Sequence, residues 1–268
     1  MEFHPLYYKL KEKIDREIRA METEDTPLRK ILHYAVDDGG KRIRPVLLLF
    51  FAKDDEKAMD FALALEMIHN YSLIHDDLPC MDDDDYRRGK ASVHKQFGEA
   101  MAVLSGDALL NKAYELIFRN ILQTKGENKD KVRAGELISR CAGIDGMIHG
   151  QELDINENNH PIEMIYYKTC NLFIGACGAG AILQGASEEE IKDALDFGKY
   201  YGYLFQLTDD LEDFEDDQKA GKKTFVTMKG KESTTEMIAL FQEKAMEIAE
   251  KEDTGFLKNL IQITVDRG

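Results

Sequence analysis

Two acidic clusters, each joined to an apolar helical run, constrain this chain more than any other feature. The first lies in His69 to Lys90, HNYSLIHDDLPCMDDDDYRRGK, where Asp76, Asp77, Asp82, Asp83, Asp84 and Asp85 fall within ten positions. It follows FALALEMIHNYSLIH directly, so Asp76 and Asp77 stand at the mouth of a segment apolar enough for a core. The second, YLFQLTDDLEDFEDD, is attached to an apolar run far downstream. Acidic clusters are most often solvated faces, but two at the ends of core helices repel each other unless a cation stands between them. Carboxylate-only ligation points to Mg2+ rather than zinc or copper.

The chain has 268 residues, 43% of them hydrophobic, enough for a sizeable core, and we read it as a single domain spanning residues 1–268. A net charge of -16 argues against nucleic acid or an anionic membrane as the main partner. No run of about 18 uncharged apolar residues offers a membrane span. The N-terminal segment is mixed-charge and amphipathic, without the basic-then-apolar order of a signal peptide. Cys80, Cys141, Cys170 and Cys177 form no CxxC pair and fit a reduced cytoplasm better than a disulfide framework.

Helix periodicity dominates, so the expected fold class is all-α. Leu6, Leu10, Ile14 and Ile18 step by four along one face. Asp25-Thr26-Pro27 reads as a cap with proline in the first turn of a helix over 28–36, which ends near Asp37-Asp38-Gly39-Gly40. GKRIRP then sets three cations beside glycine, an arrangement that suits an oxyanion or, alternatively, a surface loop balancing local acids. A helix over 60–75 feeds the first acidic cluster, with His69 two turns before Asp76 on the same face. Pro79 ends or bulges that helix, which would let Asp82 return toward Asp76.

The spacing predicts further helices over 93–119 and 132–148, the second of them closed by GMIHGQELD. INENNHP reads as a loop, and Pro161 starts a helix running to Leu183 that carries Lys168-Thr169 and the close-packing or kinking glycines Gly175, Gly178 and Gly180. Lys168 is either aimed inward or snorkelling to solvent. A helix over 188–215 places Gln206, Asp209 and Asp213 on one face. Residues 232–265 read as two amphipathic helices, the first broken near 251–254, and no Asn-Gly or Asp-Gly pair is flanked by the alternating apolar residues of a hairpin.

GGKRIRP at 39–45, DDLPCMDDDDYRRGK at 76–90, SGDALL at 105–110, GQELD at 150–154, KT at 168–169 and FQLTDDLED at 205–213 occur in one order that resembles the short-chain trans-polyprenyl diphosphate synthases, the farnesyl and geranylgeranyl diphosphate synthase family. The resemblance covers residues from about 28 to 225. It implies the isoprenoid synthase fold, long helices around a deep central cavity, a homodimer, and three Mg2+ per active site. It also implies condensation of isopentenyl diphosphate with an allylic diphosphate, dimethylallyl or geranyl. By motif position, Asp76, Asp82 and Asp209 would be the principal metal ligands, with Asp77, Asp210 and Asp213 helping directly or through water. Arg87, Lys168, Thr169, Gln206 and Lys222 would bind or steer the allylic substrate. Lys168 and Thr169 would act near the cation formed from it, while Lys41, Arg44, His69 and Arg88 would hold isopentenyl diphosphate. Tyr71, five residues before Asp76, together with the two extra residues within Leu78-Pro79-Cys80-Met81, resembles the bacterial farnesyl pattern and implies a C15 product; a C20 product is the alternative.

Three features depart from the family: the short turn before GKKTF, which leaves Lys222 and Lys223 in competition for one role, Cys170 where glycine commonly follows Lys-Thr, and the brief ending Asp266-Arg267-Gly268. A terpene cyclase would replace the second aspartate-rich motif with an Asn/Ser/Glu motif, a non-catalytic subunit would lose one motif, and an EF-hand would need alternating acids around a central glycine. DDLED and DDDDYRRG meet none of these requirements.

Overall fold

A computed structural model describes residues 2–21, 26–36, 40–53, 56–124, 126–156, 160–252 and 254–267. It is 78% helical. The cap at Asp25, the helix end at Asp37-Asp38-Gly39, part of the loop at 155–161, position 253 and Gly268 lie outside the described residues.

The N-terminal helix α1 (Pro5–Ala20) buries Leu10, Ile14 and Ile18 as the four-residue step predicts, with Tyr7 rather than Leu6 as the innermost residue of the first turn. Helix α2 (Pro27–Val36) leads toward the basic segment, and α3 (Ile43–Phe51) begins at Arg42, whose backbone is left-handed at φ 53°. That conformation is uncommon for a non-glycine residue. Buried charge holds it: Arg42 donates to Glu66 at 2.6 Å and to Asp15 at 3.1 Å, and also bonds the Val36 carbonyl.

Glu66 lies on α4 (Met59–Asp76), the helix that carries the first acidic cluster. This helix is buried on most sides, which explains why its sequence is apolar without a clean polar stripe. It ends at Asp77, and the chain then folds back, the Asp82 amide donating to the Asp76 carbonyl at 2.9 Å. The bulge expected at Pro79 therefore does return Asp82 toward Asp76. A short ribbon forms without an Asn-Gly or Asp-Gly signature: β1 (Tyr86–Arg87) pairs antiparallel with β2 (Lys90–Ala91). Arg88 at φ 51° and Gly89 at φ 79° supply the two left-handed residues of a tight turn, a role that Asn-Gly usually fills.

The helix expected over 93–119 is two, α5 (Val93–Phe97) and α6 (Glu99–Gln123), divided where Gly98 takes φ 88°. Helix α7 (Lys129–Ala142) stops earlier than expected, and GMIHGQELD does not close it but forms α8 (Met147–Ile155). Glycine allows that tight corner, because a Cβ on Gly146 would lie 2.1 Å from the Cys141 carbonyl oxygen. Helix α9 (Pro161–Ile165) runs through a wide π turn, Tyr166–Cys170, into α10 (Asn171–Leu183). The irregularity thus falls at Lys168-Thr169, while the glycines of α10 serve close packing: a Cβ at Gly180 would sit 2.3 Å from the Leu48 carbonyl oxygen of α3.

Helix α11 (Glu188–Glu212) opens with a capping box between Ser187 and Glu190 and ends earlier than expected, at the second acidic cluster. Two short helices, α12 (Phe214–Ala220) and α13 (Phe225–Lys229), precede α14 (Lys231–Ala249) and α15 (Phe256–Val265); periodicity did not reveal α13 as separate. The last helix closes the bundle through Phe256, stacked on Phe50 at 4.4 Å, and Thr264, 2.9 Å from the buried Tyr201 hydroxyl. Three cysteines, Cys141, Cys170 and Cys177, lie buried among these crossings, and Cys80 is exposed on the acidic turn.

Candidate active site

The bundle encloses a cavity of about 1000 Å³ whose wall is drawn from α3, α4, the ribbon, α8, the π turn and α11. Asp76 and Asp209 both line it, so the acidic ends of α4 and α11 open into one space. Burial pushes each of these carboxyls up to about 6. Lys168 counteracts this most at Asp76 and Arg267 at Asp209, while neighbouring acids add to it. Asp82 is exposed but close enough to act on both Asp76 and Lys168.

The basic side of the cavity includes Lys41, Arg44, His69 and Arg88. Arg44 sits with its guanidinium carbon 4.3 Å over the Phe173 ring, and its Nε is buried without a hydrogen-bond partner. Burial lowers its pKa to about 10, which still leaves it charged at neutral pH. His69 is held well below its usual value by burial and by the charges of Arg44 and Arg88. It is therefore neutral at pH 7 and offers an N–H rather than a charge. Arg88 packs where a side chain on Gly40 would stand, 2.6 Å from a Cβ built there, so the two basic motifs meet through that glycine.

Lys168 reaches the cavity from the π turn and donates to Asp154 of α8 at 2.5 Å. The close approach depends on Gly150, where a Cβ would lie 2.1 Å from the Lys168 amide nitrogen. Thr169 donates to Gln206 at 2.8 Å, Gln206 donates to Asp210 at 2.8 Å, and Asp210 also accepts from the Phe225 amide at 3.2 Å. This chain fixes the Gln206 amide with its oxygen toward Thr169. Tyr71 and His75 line the cavity one turn apart on α4.

Several expected site residues stand elsewhere. Asp77 is buried off the cavity and accepts from Arg87 Nε at 2.9 Å, which positions the arginine but leaves the carboxylate engaged. Asp210 is likewise buried and committed to Gln206 and Phe225. In this arrangement their oxygens serve donors behind the cavity wall. Asp213 is exposed at the end of α11, acting on Asp209 without lining the cavity. Lys222 is exposed outside the cavity lining, and its charge falls on Asp217; it follows Gly221, which takes a left-handed backbone at φ 72°. Sequence reasoning missed three partners. Asp154 anchors Lys168, Arg42 pairs with the buried Glu66 and with Asp15, and Arg267, beyond the last helix, lies 3.4 Å from Asp209.

The donor set fits Mg2+. Its carboxylates are hard oxygen ligands facing one cavity and raised chiefly by burial, with neighbouring acids adding to it, a condition that a bound cation relieves. Among the described residues no three His, Cys, Asp or Glu side chains converge on one point. Mg2+ does not need such a cage, because it keeps waters and takes one or two carboxylates with substrate phosphates.

The profile of the polyprenyl synthetase family matches residues 25–266. This chain is a member of that family. It is 42% identical over 207 residues to farnesyl diphosphate synthase of Bacillus subtilis, covering 73% of this chain and 70% of that one. It is 35% identical over 265 residues to geranylgeranyl pyrophosphate synthase 4 of Arabidopsis thaliana, covering 90% and 70%. Among solved structures it resembles an FPP/GFPP synthase from Zymomonas mobilis, with a TM-score of 0.86 at 31% identity over 97% of both chains. It also resembles a geranyltransferase from Helicobacter pylori complexed with magnesium and isoprenyl diphosphate, with a TM-score of 0.81 at 28% identity over 100% of both. The polyprenyl synthetase described here is accordingly a trans-prenyltransferase with the isoprenoid synthase fold, a short-chain prenyl diphosphate synthase of the farnesyl or geranylgeranyl type. No helix among its described residues is long and apolar enough to cross a membrane.

The raised carboxyls have a measurable consequence. An acid whose pKa is higher in the folded chain than in the unfolded one stabilises the fold most below its unfolded value and loses that contribution as pH rises through the folded value. Asp76, Asp209 and Asp210 all titrate at about 6. The metal-free protein is therefore expected to lose thermal stability between pH 5 and pH 7.5, with Tm falling on the order of 5 °C. Mg2+ with inorganic diphosphate should restore more of it at pH 7.5 than at pH 5. Scanning calorimetry across that range checks both, and a Tm that rises with pH would contradict the burial of these carboxyls.

Proposed function

We propose that this synthase condenses isopentenyl diphosphate with dimethylallyl or geranyl diphosphate, depends on Mg2+, and makes mainly farnesyl diphosphate. The observation that carries this reading is the cavity itself, acidic at the ends of α4 and α11 and basic at Lys41, Arg44 and Arg88. A chain of net charge -16 can take two anionic substrates only if each finds its own positive partner.

Asp76, Asp82 and Asp209 would hold Mg2+ in this reading, and Arg87, steadied by Asp77, would meet the same diphosphate. Bound Mg2+ supplies Lewis-acid neutralisation of the charge that collects on the departing diphosphate. The residues of the chain do the rest. Asp154 keeps Lys168 at the cavity, where its ammonium meets leaving-group charge. The fixed Thr169–Gln206 pair presents oxygen dipoles toward the site of the allylic cation. Arg44, with an unpartnered Nε, and neutral His69 bind and orient the second diphosphate, so that its alkene faces that cation. The enclosing apolar wall excludes water from the cation.

A homodimer is part of the proposal. Its support is the run of exposed apolar residues on α6 to α8, including Leu104, Phe118, Leu122, Ile144 and Ile155. The match of one family profile over residues 25–266 supports a single domain, and four unpaired cysteines support a cytoplasmic setting.

Tyr71 supports the C15 product. It is 7% exposed and lines the cavity on α4, five residues behind Asp76. Incubation with isopentenyl diphosphate, Mg2+ and each allylic primer, followed by chain-length analysis, tests the reading. The wild type is expected to make mainly C15, and Tyr71→Ala to shift products to C20 or longer. A wild type that already makes mostly C20, or an unchanged distribution in Tyr71→Ala, removes Tyr71 as the stop.

A further inference from the structure

We propose that His75 is a positioning residue for product length: wedged into the notch left by Gly106, it buttresses the ring of Tyr71 and so sets the depth of the cavity. This inference rests on the reading of Tyr71 as the stop. Tyr71 and His75 are one turn apart on α4, their rings edge to face at 5.8 Å and 78°, and both line the cavity. The far edge of the imidazole enters α6, where Nε2 donates to the Val103 carbonyl at 3.2 Å. It fits there only because residue 106 has no side chain. A Cβ at that position would stand 2.1 Å from Nε2, 2.4 Å from Cδ2 and 2.7 Å from Cε1. Contacts under 3.0 Å to a rigid ring cannot be absorbed in place.

The arrangement is mechanical. One edge of the imidazole is held by α6 and the other meets the tyrosine ring, so Tyr71 cannot swing along α4 toward Asp76. Leu110, one turn beyond Gly106, also lines the cavity, so a ring displaced from the notch moves into the lumen. Two substitutions on opposite sides of the same contact should therefore act with opposite sign. His75→Ala removes the buttress, gives Tyr71 room to tilt, and raises the C20 share severalfold. Gly106→Ala expels the imidazole into the lumen and shifts the main product toward C10.

The test is the product ratio of His75→Ala, Gly106→Ala and Tyr71→Ala, measured at equal turnover with the dimethylallyl primer, from which C10, C15 and C20 are all products. A role confined to stability would change yield and Tm but not the ratio in opposite directions. The pair Gly106→Ala/His75→Ala decides the case even if Gly106→Ala alone folds poorly: with the ring gone the methyl has space, so the pair should match His75→Ala. In a Tyr71→Ala background His75→Ala should add nothing, because it acts through that ring. Lengthening by Tyr71→Ala with no opposite shifts at His75 and Gly106 overturns this proposal and leaves the stop intact. No effect of Tyr71→Ala removes the stop, and the buttress with it.

Discussion

Asp76→Asn is expected to lower kcat on the order of 10²–10³-fold while leaving the KM for isopentenyl diphosphate nearly unchanged. The amide keeps the volume and both polar atoms of the carboxylate but cannot carry the charge that would hold Mg2+. Asp209→Asn should behave alike, since it faces the same cavity from α11. The two losses should combine to much less than their product, because the two residues would act on one leaving group. Excess chelator should silence the wild type as completely. Steady-state rates with saturating allylic substrate check all of this, and a near-normal rate in either variant strikes that residue from the ligand set. Asp210→Asn provides a contrast. Its carboxylate holds Gln206 and the Phe225 amide, so its loss should cost stability and orientation rather than the whole of the charge effect.

Arg44→Ala is expected to raise the KM for isopentenyl diphosphate tenfold or more, with little change for the allylic substrate. A charge-assisted hydrogen bond is worth roughly 1.5–3 kcal/mol, and each 1.4 kcal/mol is about a tenfold change. The buried, unpartnered Nε and the Phe173 ring under the guanidinium mean that the side chain is already placed before ligand arrives, so little ordering cost offsets the bond. Arg42→Met would be a different experiment, since Arg42 meets Glu66 and Asp15 rather than the cavity's anions. Its loss leaves buried acids without a partner and should lower Tm. Equal rises in both KM values for Arg44→Ala would contradict separate sites for the two diphosphates.

The helices were legible because burial writes a period into the sequence: Leu10, Ile14 and Ile18 face the core as their spacing requires. The fold-back at Pro79 was legible because proline restricts its predecessor. Contacts between distant segments leave no such trace. Nothing in the interval between Asp154 and Lys168 marks them as partners, and the pairing depends on a glycine, Gly150, whose role is to be absent as a side chain. Asp77 and Asp210 illustrate the same limit in reverse. Adjacent aspartates on a helix point about 100° apart, so one of each pair faces the cavity and the other faces the wall. The sequence shows both alike. The Arg88-Gly89 turn escaped notice because arginine rarely adopts the left-handed backbone that the hairpin needs, and Arg267 because its partner Asp209 lies 58 residues away.

The distribution of sulfur has a practical consequence. Burial raises Cys141 to about 12 and Cys170 and Cys177 well above their ordinary value, so at neutral pH all three remain unreactive thiols. Cys80 alone meets solvent, and it rides the turn between Asp76 and Asp82. An alkylating dye would thus enter the native protein at one place without any engineering, and its emission would follow what happens at the rim of the cavity.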